Sequence, residues 1–302
     1  MNTPTHVLAA TDLSGPSRFA LERAARVATA IRAECTAVHV VKASELDDLA
    51  VLLGQPGAAA REQLLAETRG QLAEFVQHCR VAGAEVEARV CAGPVVDTLV
   101  AEAGALDAGL VVLGARGEGF LRHLVIGSTA ERVLRKLARP VLVVRQMPYD
   151  GYRRVLVGVD FSAASVAALR LAAVVAPGAD LVLLHAFEVP FEGKLHFAGV
   201  DEAAIAAYRR RAEREAHSRL GQFAADAGLS TRRMQLIVGH GDPSRVLLER
   251  GQEEGCDLLV VGKRGKTVVE ELLLGSVTKH VLAEATTDVL VVPPGAGTQA
   301  AA

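Results

Sequence analysis

Tryptophan is absent from the 302 residues, and only 3 tyrosines and 8 phenylalanines stand in its place, so a packed interior has to be built from Ala, Val and Leu. Cysteine is scarce as well. Cys35, Cys79, Cys91 and Cys256 form no C-x-x-C pair and no regular framework. That argues against a disulfide scaffold and against zinc or dithiol chemistry, and it leaves the expectation of small buried thiols in a reducing compartment. No apolar run approaches the length of a membrane-spanning helix, and the start Met1-Asn-Thr-Pro-Thr-His6 has neither the basic residues nor the apolar core of a secretory signal. The expectation is a soluble, cytoplasmic protein with no membrane partner. The formal net charge of -2 supplies no electrostatic reason for a nucleic-acid partner. The basic cluster Tyr208-Arg-Arg-Arg211 runs directly into Glu213 and Glu215, as a solvated helix face does. Two nucleotide motifs are also missing. There is no G-x-x-x-x-G-K-[ST] stretch, and Gly114-x-x-Gly117-x-Gly119 has its gaps in the wrong order for a dinucleotide fingerprint. His196, His217, His240 and His280 show no compact ligand spacing, and no catalytic triad assembles from the sequence.

What remains is an alternation. Short continuous apolar runs, Val7–Ala10, Thr36–Val41, Glu85–Val90, the run ending at Gly114 and Val141–Val144, are separated by stretches with helical spacing. The helical stretches are Phe19 to Ala28, the Leu64, Leu65, Leu72, Phe75 and Val76 stripe, Val95 to Ala103, and Ala130, Val133, Leu134 and Leu137. Gly54 to Gly57 is expected to interrupt the long helical region of residues 44 to 82. Strand after helix after strand predicts an α/β fold with a parallel sheet covered on both faces. Right-handed crossovers then place the loops after the strands on one edge, where such sheets bind ligands.

After Arg145 to Tyr152 the plan restarts. Asp12 and Asp160, Ser14 and Ser162, Gly93 and Gly241, Gly114 and Gly262, Gly127 and Gly275, and Val141 and Val289 are all separated by 148 positions. His39 and His185 are 146 apart, so insertions fall between fixed anchors. This is the pattern of a duplicated domain, and it predicts one domain over residues 1–146 and another over 152–294. The uncharged closing strands need a partner, which predicts internal pairing of the two domains into a pseudo-dimer and leaves a homodimer open.

The chemistry centres on Gly114-Ala-Arg-Gly117, nine further residues, and Gly127-Ser128-Thr129, a pattern repeated as Gly262-Lys-Arg-Gly265, nine residues, and Gly275-Ser276. Glycines lacking a Cβ beside a helix start, with its free N–H groups, suit a phosphate. Ser128 with Glu131 also fits a capping box, but Lys279 stands in the corresponding place of the second copy. Arg116, Lys263 and Arg264 sit inside the same loops, where they either meet phosphate or are solvated as loop side chains. Asp12 and Asp160 are expected to orient a ligand or hold a turn. His39 and His185, inside apolar runs, are expected to be satisfied by backbone rather than to bind metal.

These features together, the G-x2-G-x9-G-[ST] pattern, an Asp ending the first strand, a His on the second and a closing Val-Leu-Val-Val strand, resemble the universal stress protein family, and the resemblance spans nearly the whole chain as two tandem copies. It implies a five-stranded parallel α/β (Rossmann-like) domain for each half. It also implies ATP as the cofactor, with Mg or Mn accompanying the nucleotide. Asp12 and Asp160 would then contact adenosine, and the backbone at Val40 and Ala186 would meet adenine. Gly114, Gly117, Gly127, Ser128 and Thr129 would hold ribose and phosphates, as would Gly262, Gly265, Gly275, Ser276 and Val277 in the second copy. The resemblance implies a nucleotide-responsive protein of the stress response with no catalytic residues and at most weak ATP hydrolysis. An adenylating or hydrolysing enzyme is the alternative, although no S-G-G-x-D-S or H-I-G-H stretch is present, and a non-binding interaction module is a third. Because Lys266 replaces Glu118 beside the glycine, the second site is expected to bind ATP more tightly.

Overall fold

A computed structural model of the chain describes residues 3–44, 58–79, 83–117, 126–189, 192, 194, 198–229, 234–263 and 274–295. The chain divides into two compact units, residues 2–151 together with 286–291, and residues 152–285 together with 292–299.

In the N-terminal unit the first apolar run forms strand β1 (His6–Thr11), followed by helix α1 (Gly15–Ile31), β2 (Glu34–Val41), α2 (Ala58–His78), β3 (Glu87–Ala92), α3 (Val95–Ala105), β4 (Leu110–Gly114), α4 (Ser128–Lys136) and β5 (Val141–Val144). The expected interruption at Gly54–Gly57 lies outside the described residues. The third strand runs two residues later than the alternation predicts, from Glu87 to Ala92. It is an outer, half-exposed strand, and its one-sided burial blurs the apolar signal that marks its neighbours.

β1 pairs in parallel with both β2 and β4, and the order β3-β2-β1-β4-β5 is parallel throughout. Val7, Leu8 and Ala9 of β1 and Leu110 and Val112 of β4 are fully buried, as strands covered on both faces must be. On α4, Ala130, Val133 and Leu134 are buried, as is Leu137 just beyond it, so the helical spacing read from the sequence is the face that meets the core.

A sixth strand completes this unit. β10 (Asp288–Val292), from the end of the chain, runs antiparallel to β5, with Val289 opposite Val143, Leu290 opposite Leu142 and Val291 opposite Val141. The apolar edge that β5 would expose is therefore paired within the chain.

The C-terminal unit repeats the plan with β6 (Arg154–Gly158), α5 (Ala163–Val175), β7 (Asp180–Phe187), α6 (Glu202–Asp226), β8 (Met234–His240), α7 (Pro243–Glu253), β9 (Leu258–Gly262) and α8 (Ser276–Glu284). β6 is again central, parallel to β7 on one side and β9 on the other, and β8 lies beyond β7.

The helix starts are not equivalent. Ser14 and Ser162 cap α1 and α5 by accepting from Ser17 N and Ser165 N at 3.3 Å. Asp242 caps α7, accepting from Ser244 N and Arg245 N, and the Ser244 hydroxyl followed by these amides holds its carboxyl below the usual carboxylate range. A depressed folded pKa means stability that is present above the unfolded pKa and lost as pH falls through that region. Asp242→Ala should therefore cost about 1 kcal/mol at neutral pH. The gap should close below a pH of about 4, measured by urea denaturation across pH.

Candidate functional site

In a parallel sheet the chain leaves the central strand in one direction and returns on its other side, and the crevice opens where the two paths diverge. In the N-terminal unit that point is the carboxyl end of β1 and β4. Asp12 follows β1 and Gly114 ends β4, and between them lies a cleft of about 470 Å³. Asp12, Val40, Gly114, Gly117, Gly127, Ser128 and Thr129, the residues that the resemblance implies for the first copy, all line it. So do Lys42, Val95, Leu99 and Arg116.

The turn after β1 is built around Asp12. Its Oδ1 accepts from Ser14 N at 3.1 Å and from the Ser14 hydroxyl at 2.5 Å. Leu13 is thereby forced to φ 65°, a left-handed conformation that a bulky side chain avoids. The second copy reproduces this turn. Asp160 Oδ1 accepts from Ser162 N at 2.9 Å and from the Ser165 hydroxyl at 2.5 Å, and Phe161 sits at φ 62°. Phe161 is held there by packing, its ring 4.3 Å from His185 and 6.0 Å from Phe223, with the Arg219 guanidinium 4.4 Å over it. Sequence pattern gave no sign of these strained turns. Ser17 and Ser165, which brace them, share the 148-residue spacing, and that was the available signal.

His39 and His185 each place Nδ1 against a strand-end carbonyl, Thr11 O at 2.9 Å and Val159 O at 2.7 Å. A carbonyl can only accept, so Nδ1 carries the proton and donates. Both histidines thus brace the strand end that bears the aspartate.

The glycine loop closes by backbone contacts. Ala115 N donates to Val144 O at 2.8 Å and Gly127 N to Ala115 O at 2.8 Å. A Cβ on Gly114 would lie 3.0 Å from Arg116 O, and one on Gly117 would lie 2.3 Å from Asp12 Oδ2. The capping-box reading of Ser128 is not what forms. Gly127 is the N-cap with no side-chain hydrogen bond, Ser128 is the first helical residue, and Glu131 pairs with Arg135 at 2.6 Å. Glycine at this cap leaves no side chain competing for the first-turn N–H groups, which point out of the helix start. α1, α5 and α7 commit theirs to Ser14, Ser162 and Asp242.

In the C-terminal unit Asp160 follows β6, Ala186 lies on β7, Gly262 ends β9, and Gly275, again an N-cap without a side-chain bond, precedes Ser276 and Val277. Gly275 N donates to Lys263 O at 3.0 Å, as Gly127 does to Ala115. Lys263, which replaces Ala115, is buried, and Thr278 Oγ1 donates to Gly262 O at 2.7 Å. Gly265, Arg264 and Lys266 lie outside the described residues, as does Glu118 of the first loop.

The thiols offer no nucleophile. Burial pushes Cys35 up to about 12 and Cys79, Cys91 and Cys256 up to about 11, so each is neutral at physiological pH.

Against known proteins, the profile of the Universal stress protein family matches residues 4–145 and again 151–293. A universal stress protein of Mycolicibacterium smegmatis is 29% identical over 300 residues, covering 95% of this chain and 97% of that protein. A second, from Mycobacterium tuberculosis, is 33% identical over 195 residues, covering 61% of each chain. Among solved structures, a universal stress protein from Archaeoglobus fulgidus superposes with a TM-score of 0.66 at 20% identity, over 98% of this chain and 100% of that one. Two successive profile matches, a full-length relative and the observed α/β fold lead to one assignment: the chain belongs to the universal stress protein family as a tandem member carrying two copies of its domain.

Proposed function

We propose that the protein binds ATP at the switch point of each copy and serves the stress response as a nucleotide-responsive regulatory or protective factor. The observation that carries this reading is the convergence of the motif residues on one cleft beside a helix start that no side chain caps. Val38, Val40, Leu99 and Leu113 give the cleft an apolar wall for adenine, with the Val40 backbone at its edge. Asp12 faces the ribose side, and Gly114, Gly117, Gly127, Ser128 and Thr129 meet the phosphates through N–H and hydroxyl donors. In the second copy Asp160, Ala186, Gly262, Gly265, Gly275, Ser276 and Val277 take the same parts.

No group of three His, Cys, Asp or Glu that would hold a metal occurs among the described residues. If Mg or Mn accompanies the nucleotide, Asp12 and the Ser128 and Thr129 hydroxyls are the groups of the cleft that would hold it, and it would supply charge neutralisation of the phosphates. Among the described residues of the cleft none forms a His–carboxylate pair of the kind that activates a water, and this reading expects weak hydrolysis at most. The histidine nearest to that role, His39, donates its Nδ1 proton to Thr11 O.

Denaturing the purified protein and identifying what it releases by mass tests the proposal. Two equivalents of ATP are expected. Turnover of added ATP at ordinary enzyme rates would favour the enzyme reading, and no nucleotide even when supplied would leave only an interaction module.

A further inference from the structure

Arg116 stands between two residues of the glycine loop and lines the first cleft, and its Nε is buried with no hydrogen-bond partner among the described residues. Directly behind the loop, one residue past the strand end that receives Ala115 N, comes Arg145. Burial first, and the charge of Arg116 second, push the Arg145 guanidinium down to about 10, against the favourable pull of Asp288. Asp288 is already engaged. Its Oδ1 accepts from Arg145 N at 2.8 Å and Gln146 N at 3.2 Å, and its Oδ2 faces Arg23 Nε at 3.3 Å. The acid on the cleft wall, Asp12, has Oδ1 committed to Ser14. Arg116 on the cleft wall thus brings a buried Nε and a positive charge that acts on a second guanidinium close to the loop.

Positive charge held out of water gains most from a ligand that brings several negative charges, and a guanidinium is suited to bind phosphate oxygens in pairs. We infer that Arg116 is the specificity-determining residue of the first cleft, selecting polyphosphate ligands such as nucleoside triphosphates over singly charged phosphodiesters. This rests on the nucleotide reading of the cleft. It concerns the first copy alone, because Arg264, 148 positions on, lies outside the described residues.

The test uses the full chain and follows amide hydrogen exchange of the peptide from Gly127 to Glu131, which reports on the first cleft without interference from the second copy. Wild type, Arg116→Gln and Arg116→Lys are titrated with ATP, cyclic AMP and inorganic tripolyphosphate. Arg116→Gln should weaken ATP and tripolyphosphate by about 10- to 100-fold while shifting cyclic AMP by no more than about twofold, and Arg116→Lys should recover part of the loss. An equal loss for all three ligands would mean that Arg116 only packs the loop, and unchanged tripolyphosphate binding would equally overturn the inference. If wild type binds tripolyphosphate but no adenine nucleotide, and Arg116→Gln removes that binding, the inference stands and the adenine reading falls. If wild type binds none of the three, both fall.

Discussion

Asp288→Ala should lower the unfolding free energy by about 3–5 kcal/mol, the largest loss expected from any single polar side chain here. Asp288 is fully buried, and it is the partner of Arg23, which is 6% exposed. Alanine would leave that guanidinium charged and inside the protein without the Asp288 carboxylate, and would also strip the acceptor from the N–H groups of Arg145 and Gln146. Each buried donor left unmatched costs a further one to three kcal/mol, roughly, before relaxation. Asp288→Asn is the informative companion. It keeps an oxygen for the two amides and loses only the charge, so its loss should be smaller and its difference from alanine should measure the amide contribution. Urea denaturation followed by circular dichroism gives both numbers. A loss below about 1 kcal/mol for alanine would show that water reaches Arg23 and that the ion pair does not hold β10 against α1.

That this residue matters was not legible in the sequence, and the reason is physical. The pairing joins positions 23 and 288, on a helix and a strand far apart in the chain, and neither falls in a repeated motif. Asp288 precedes the run Val289–Val292, which the spacing marks as a strand, but an aspartate at a strand start reads as a solvated boundary until the opposing strand is known. The apolar spacing itself was informative throughout, because a strand or helix buried against a sheet has to show its period locally. Val141–Val144 and the α4 face of Ala130, Val133 and Leu134 are where it placed them. β3 shifted because its exposed outer face carries Glu87 and Arg89, which interrupt the run.

The same distinction governs the cleft. Glycines and Asp12 were legible because duplication repeats them at a fixed spacing, and a spacing survives only where the backbone geometry is fixed. Lys42, Val95 and Leu99 line the cleft as well, but they come from just past the end of β2 and from α3, and they meet there only after the sheet has formed. The capping box at Ser128 failed because the helix begins one residue earlier than the box requires, with Gly127 at the cap. The consequence runs in the opposite direction from a capping serine: a hydroxyl and several N–H groups are left facing the cleft.

Gly117→Ala should therefore abolish binding at the first cleft under conditions where wild type saturates, with an affinity loss of about 100-fold, or ~3 kcal/mol. The added Cβ would stand 2.3 Å from Asp12 Oδ2 and 3.5 Å from its Cγ, so the carboxylate has to turn. Turning it breaks the bonds of Oδ1 to Ser14 N and Oγ, on which the left-handed turn at Leu13 depends. Overpacking of this kind also costs about 1–3 kcal/mol of stability. Calorimetric titration of ATP should show the stoichiometry falling from two to one, and the surviving second site, with Lys266 beside Gly265, should bind more tightly than the wild-type first site. A double-mutant cycle then locates the cause. If Gly117→Ala acts through Asp12, it should add almost nothing on an Asp12→Ala background, where the clash is gone. Two equivalents bound with unchanged affinity would remove the Gly117–Asp12 contact from the account of the cleft. Full additivity in the cycle would mean that Gly117 serves the ligand through its own backbone rather than by making room for the carboxylate.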